Sequence, residues 1–228
     1  MTSPRDRILG SIRDGLLRAQ LPAEERRPAA DPAVPSAVPA TDVLVAQFSS
    51  ALTALSGHAH RASDAGQAAD LIAGIARANQ AASFISWDEG AIECPGLLAA
   101  LGALGLSRVA YDLSTDAARR LSEVEALAGI GLGLTGAHAA LAENGGLVLV
   151  SGPGRGRLPS ILPPVHVAVV AERRLRPSLA DLVREEPRLL AGGSNVVIVA
   201  GPSRTADIEM TLTHGVHGPK HLHVVLMS

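Results

Sequence analysis

An uninterrupted apolar run, Val196-Val197-Ile198-Val199-Ala200, empties into Gly201-Pro202, and this junction narrows the possible folds more than any other stretch. Apolar residues without polar alternation suit a strand covered on both faces, as in parallel sheets. Gly and Pro end such a strand, Ser203 or Thr205 can cap the next element, and Ile208, Leu212 and Val216 fall at helical spacing. The expected unit is a buried strand, a glycine turn and a helix, with Asp207 and Glu209 near the helix's positive end. Open α/β sheets place ligands at such junctions. A plainer reading makes Gly201 and Pro202 a strand exit and Asp207 a dipole partner.

Upstream, strands and helices alternate. Ser3-Pro4-Arg5-Asp6 is a capped helix start, and Ile8, Ile12 and Leu16 then share one face. Residues 21–40 carry Pro28, Pro32, Pro35 and Pro39 and read as an extended linker. A helix opening at Thr41 or Asp42 points Leu44, Phe48, Leu52 and Leu55 to the core. His58, His60 and Ala62 alternate through a short strand, and Asp64 with Gln67 forms a capping box before the next helix. Residues 82–87 and 109–111 are strand-like. One helix comes after Pro95, and another carries Leu121, Val124 and Leu127 inward. After Gly129 the strands at 130–135 and 147–151 lie too close for a crossover helix, which predicts a local antiparallel portion. Further strands are expected at 165–171 and 222–227, and Ser178 caps one more helix. The fold class is α/β, with helices covering a mostly parallel, mixed sheet, and the domains are an arm (1–40) and a globular unit (41–228).

Composition excludes several classes. Net charge is -2 and Lys220 is the only lysine, so nothing marks a polyanion-binding surface. No apolar run is long enough to cross a bilayer and residues 1–20 lack a signal-peptide core, which makes the cytoplasm the expected location. Cys94 is the one cysteine, so four-thiolate iron–sulfur ligation cannot arise within the chain.

Several motifs together resemble a known family. Gly201-Pro202-Ser203-x-Thr205-Ala206-Asp207-Ile208-Glu209, Gly215-Val216-His217-Gly218-Pro219, Gly133-Leu134-Thr135-Gly136-Ala137, Ala142-Glu143-Asn144-Gly145 and Leu162-Pro163-Pro164-Val165-His166-Val167 occur in the order seen in the LUD domain of lactate utilization protein C. The resemblance runs from about residue 130 to the carboxyl end and is looser before that. It implies a three-layer α/β/α sandwich of the NagB/RpiA/CoA-transferase-like kind. It also implies an accessory role in a system that oxidises lactate to pyruvate, with iron–sulfur clusters only on partner proteins.

Candidate chemistry is spread along the chain. Glu143, at a glycine-flanked strand mouth, could be a general base, a nucleophile, a ligand contact or a turn cap. Relatives commonly have hydroxyl residues after this glutamate, where the chain has Asn144, Gly145 and Gly146. His138 stands where relatives often carry an acidic or small residue and is not expected in the site. The loop 151–157 is glycine-rich and basic but lacks P-loop and Rossmann spacing, so it reads as a flexible surface loop. Arg157 matches a family arginine and could grip a carboxylate. His166 lines the mouth or caps its strand. His214, His217, His221 and His223 lack a zinc motif, and no metal site is expected. The expected pocket gathers Thr135, Gly136, Gly145, Arg157, Gly201, Ser203, Thr205, Asp207 and Gly218 around an anionic ligand, with Glu143 and His217 as acid–base candidates. Two alternatives remain: a freestanding enzyme acting on a CoA ester or sugar phosphate, and an interaction module with a vestigial pocket.

Overall fold

Six parallel strands, in the spatial order His58–Ala62, His221–Met227, Val165–Ala171, Leu132–Thr135, Ser83–Ser86 and Ser107–Arg108, form the main sheet of the computed structural model, which describes residues 4–18, 39–111, 116–189, 193–205, 213–215 and 217–228. The chain divides into two units, Met1–Val38 and Pro39–Ser228. The described part of the first is helix α1 (Pro4–Arg18), with Pro4 at its first position. Most of the expected linker lies outside the described residues.

In the second unit, chain order is α2 (Thr41–Ala54), β1 (His58–Ala62), α3 (Ala65–Ala78), β2 (Ser83–Ser86), α4 (Glu89–Ile92), α5 (Leu97–Ala103), β3 (Ser107–Arg108) and α6 (Ala117–Leu127). Then come β4 (Leu132–Thr135), β5 (Ala139–Leu141), β6 (Gly146–Ser151), β7 (Val165–Ala171), β8 (Leu175–Arg176), α7 (Leu179–Glu185) and β9 (Asn195–Val199). The last elements are β10 (Arg204–Thr205), β11 (Thr213–His214) and β12 (His221–Met227). The apolar runs of β4 and β7 are buried along their whole length, as strands covered on both faces must be. On α2, Leu44, Phe48 and Leu52 recur at helical spacing and are buried, and Phe48 alone contributes about 1.5–3 kcal/mol. The Asp64 carboxylate accepts the Gln67 amide at 2.9 Å while Gln67 accepts the Ser63 amide at 3.1 Å, closing the start of α3.

The α/β class is borne out, and the antiparallel portion is a sheet of its own, β8-β5-β6-β9, with β6 antiparallel to both neighbours. Three expectations need correction. Residues 196–200 are not a buried strand: β9 is the edge of the second sheet, with Val197 38 % and Ile198 41 % exposed. No helix opens at Thr205, because Thr205 pairs with Thr213 in an antiparallel ladder and β-branched residues favour that pairing. Ile208, Leu212 and Val216, whose spacing predicts the helix, lie outside the described residues. On α6 only Leu127 is buried, and Leu121 is exposed. No described helix is long and apolar enough to cross a membrane.

Candidate functional site

The chain leaves β2 toward β3 at one edge of the main sheet and leaves β4 toward β7 on the other side. Adjacent parallel strands whose connections diverge leave a crevice beyond their carboxyl ends, where open α/β sheets bind ligands. A cleft of about 370 Å³ lies there, lined by Trp87, Asp88 and Glu93 after β2, by His138 after β4, and by Arg155 and Arg174.

The 152–157 loop forms one wall, and it is pinned rather than free. The Trp87 indole Nε1 donates to the Gly156 carbonyl at 2.7 Å, and the Asp88 amide donates to the Gly154 carbonyl at 2.9 Å. Gly152 and Arg155 exchange backbone hydrogen bonds across the turn. Gly154 has φ 68°, and a Cβ there would stand 2.6 Å from an Asp88 carboxylate oxygen. Glycine is therefore what lets the loop close on the end of β2.

Charge in the cleft is mostly paired. Glu93 accepts from Arg173 at 2.6 Å and also from Arg174, whose hydrogen bond holds the Glu93 carboxyl below its usual range against the opposing effect of burial. His138 Nε2 lies 2.8 Å from Glu186 Oε2. A second cleft lined by His138, Arg155 and Glu186 adjoins the first. Arg155 is half-buried, and its guanidinium has no ion-pair partner among the described residues. An unpaired guanidinium beside a carboxylate-held imidazole can bind an oxyanion and exchange a proton with it.

The residues expected from sequence occupy other places. Thr135 is fully buried, its Oγ1 2.8 Å from His166 Nε2, and burial pushes His166 down to about 4, so that imidazole is neutral. Gly136 packs on α4, where a Cβ would meet the Ala91 carbonyl at 2.3 Å. Gly145 packs likewise on the Leu52 backbone of α2. The Glu143 carboxylate accepts the Leu179 amide at the start of α7. Arg157 is exposed and does not line the cleft. Gly201 is buried just past β9. Ser203 does meet the 215–219 segment: its amide donates to the Pro219 carbonyl and its carbonyl accepts from Gly215, with Gly218 alongside. His217 is exposed. That meeting stands before β7 and β12 begin, since the Lys220 amide donates to the Pro164 carbonyl, whereas Thr135 ends β4. The side chain of Thr205 and all of Asp207 lie outside the described residues.

Sequence reading missed Trp87, Asp88, Glu93, His138, Arg155, Arg174 and Glu186, which come from separate segments of the chain. Two signals were present: a polar turn directly after the strand ending at Trp87, and a histidine in the Gly136-Ala137-His138-Ala139 stretch between two strands.

Comparison with known proteins gives this geometry its context. Lactate utilization protein C of Halalkalibacterium halodurans is 42% identical over 92 residues, 39% of this chain and 40% of that protein. The protein of the same name from an Exiguobacterium species is 38% identical over 100 residues, 42% and 44% of the two chains. The chain thus matches less than half the length of these curated relatives. A DUF162 family protein from Deinococcus radiodurans has a similar fold, with TM-score 0.56 and 21% identity, over 83% of this chain and 99% of that one. The LUD domain family model matches residues 45–227, and the chain belongs to the LUD domain family.

Proposed function

We propose that this LUD-domain chain serves a lactate-utilisation system in the cytoplasm by holding a small carboxylate in the crevice beyond β2 and β4. Arg155 carries this reading, as a cation unpaired among the described residues in a ligand-sized cleft, with the likeness to lactate utilization protein C supplying the pathway. Oxidation of lactate to pyruvate releases electrons, and iron–sulfur clusters able to take them belong to partner proteins, because this chain has Cys94 alone and buried. Calorimetry with pyruvate and with lactate tests the cleft. Saturable binding that weakens at least about tenfold (about 1.4 kcal/mol) in Arg155→Ala is expected; equal binding by the variant overturns the assignment. Growth on lactate after deletion of the gene, with neighbouring lactate genes intact, tests the pathway separately.

A second reading, catalysis in the same cleft, draws on the His138–Glu186 pair. A carboxylate at Nε2 fixes the tautomer and orientation of the ring and leaves Nδ1 for proton transfer. Turnover of a CoA ester or sugar phosphate that His138→Gln abolishes without loss of binding would favour it over an accessory role.

A further inference from the structure

On the other side of the 152–157 loop lies a separate cavity, of about 680 Å³, which shares only Asp88 and Gly154 with the Arg155 cleft. Its walls come from Ser86 at the end of β2, from Arg108, Val109 and Tyr111 at and beyond the end of β3, and from the loop glycines. The volume falls in the range of about 300–1,000 Å³ typical of small-molecule sites.

Ser86 is 1% exposed, and its hydroxyl has no hydrogen-bond partner among the described residues. Buried hydroxyls are rarely left so, since desolvation then goes uncompensated. Tyr111 is half-buried; burial pushes its phenol up, against the Gly156 amide, so it remains a protonated donor at neutral pH. Arg108 reaches the Trp87 carbonyl and the Asp88 carboxylate only at 3.4 Å, both through Nη2, leaving Nη1 and Nε unpartnered among the described residues. The cavity therefore offers three donor side chains and one carboxylate. A surplus of donors recognises a ligand rich in acceptors. The lone carboxylate rewards a ligand hydroxyl and disfavours a bare anion.

We propose that this cavity binds a polyhydroxylated oxyanion, with Arg108 at the charged group, Ser86 and Tyr111 donating to oxygens along the body, and Asp88 accepting from a hydroxyl. A sugar acid and a sugar phosphate share that chemistry. The assignment does not depend on the Arg155 cleft or on any lactate role.

Calorimetry on the full chain with D-gluconate and with glucose 6-phosphate, against propionate and inorganic phosphate, tests it and tells carboxylate from phosphate. At least one hydroxylated anion is expected to bind with Kd below about 1 mM, with the simple anions about tenfold weaker or worse. Ser86→Ala and Tyr111→Phe should each weaken binding about tenfold, while Ser86→Ala leaves the melting temperature of the free protein level or higher, because it removes an unpaired polar atom. No saturable binding by either hydroxylated anion up to about 10 mM overturns the proposal. So does undiminished affinity in both variants, or equal binding of propionate or phosphate. Should one variant fail to fold, the other decides.

Discussion

The carboxylate of Glu143 accepts the backbone amide of Leu179 at 2.8 Å, fastening the turn between β5 and β6 to the first residue of α7. An anion on an unsatisfied amide at a helix start is a stabilising arrangement, and Ser178 adds its own cap by accepting from Asp181. Glu143→Ala is therefore expected to lower stability by about 1 kcal/mol in urea denaturation. Unchanged stability together with lost carboxylate binding would return Glu143 to the ligand site.

Acidification should weaken the edge of the main sheet. His58 and His223 stack with ring centroids 4.8 Å apart, and His60 Nε2 lies 3.1 Å from His223 Nδ1 across β1 and β12. Burial first, then the neighbouring His58, His60 and His221, lowers His223 from 6.5 to about 4, and His60 is also lowered, by burial and then His58. Both are lower in the fold than in the unfolded chain, so the unfolded chain takes up protons first as pH falls. Their contribution is complete above about pH 6.5 and is lost toward about pH 4. Allowing for solvent screening at these partly exposed rings, the loss is roughly 1–2 kcal/mol. Denaturation midpoints across that window measure it, and His223→Gln should flatten the slope.

Gly145→Ala should be severely destabilising, by about 3 kcal/mol or more. Its φ is 66°, and the added Cβ would stand 2.5 Å from the Leu52 amide nitrogen, a backbone atom that cannot step aside. A stable Gly145→Ala protein would contradict this packing role.

Removing Arg174 should raise the Glu93 carboxyl pKa, because the hydrogen bond from Arg174 is the leading cause of its depression. An NMR titration of Arg174→Ala reads the change directly. Arg173, which reaches the same carboxylate at 2.6 Å, should keep part of the depression in place.

Fold class was legible because β7 and β12 announce themselves as apolar runs and α2 and α3 as helices with aligned apolar faces. The same signal misled at residues 196–200: an apolar run reports hydrophobicity, not coverage, and among the described residues β9 has a neighbour on one side only. Thr205 looked like a helix start, while its ladder with Thr213 is a pairing that no local window contains. The cleft was less legible still. Glycines 136 and 145 looked like room for a ligand, yet each makes room for a helix backbone. His138, Arg155 and Glu93 meet only because the sheet order sets β2 beside β4, and sheet order is not written in periodicity.

Trp87 is the chain's only tryptophan, it is almost fully buried, and its indole is hydrogen-bonded to the loop that divides the two cavities. Indole emission responds to local polarity and to hydrogen bonding at Nε1. The protein consequently carries its own optical reporter at the junction: a colour shift or quenching on adding a small molecule would register occupancy of either side without any label, and silence from a bound ligand would place it elsewhere.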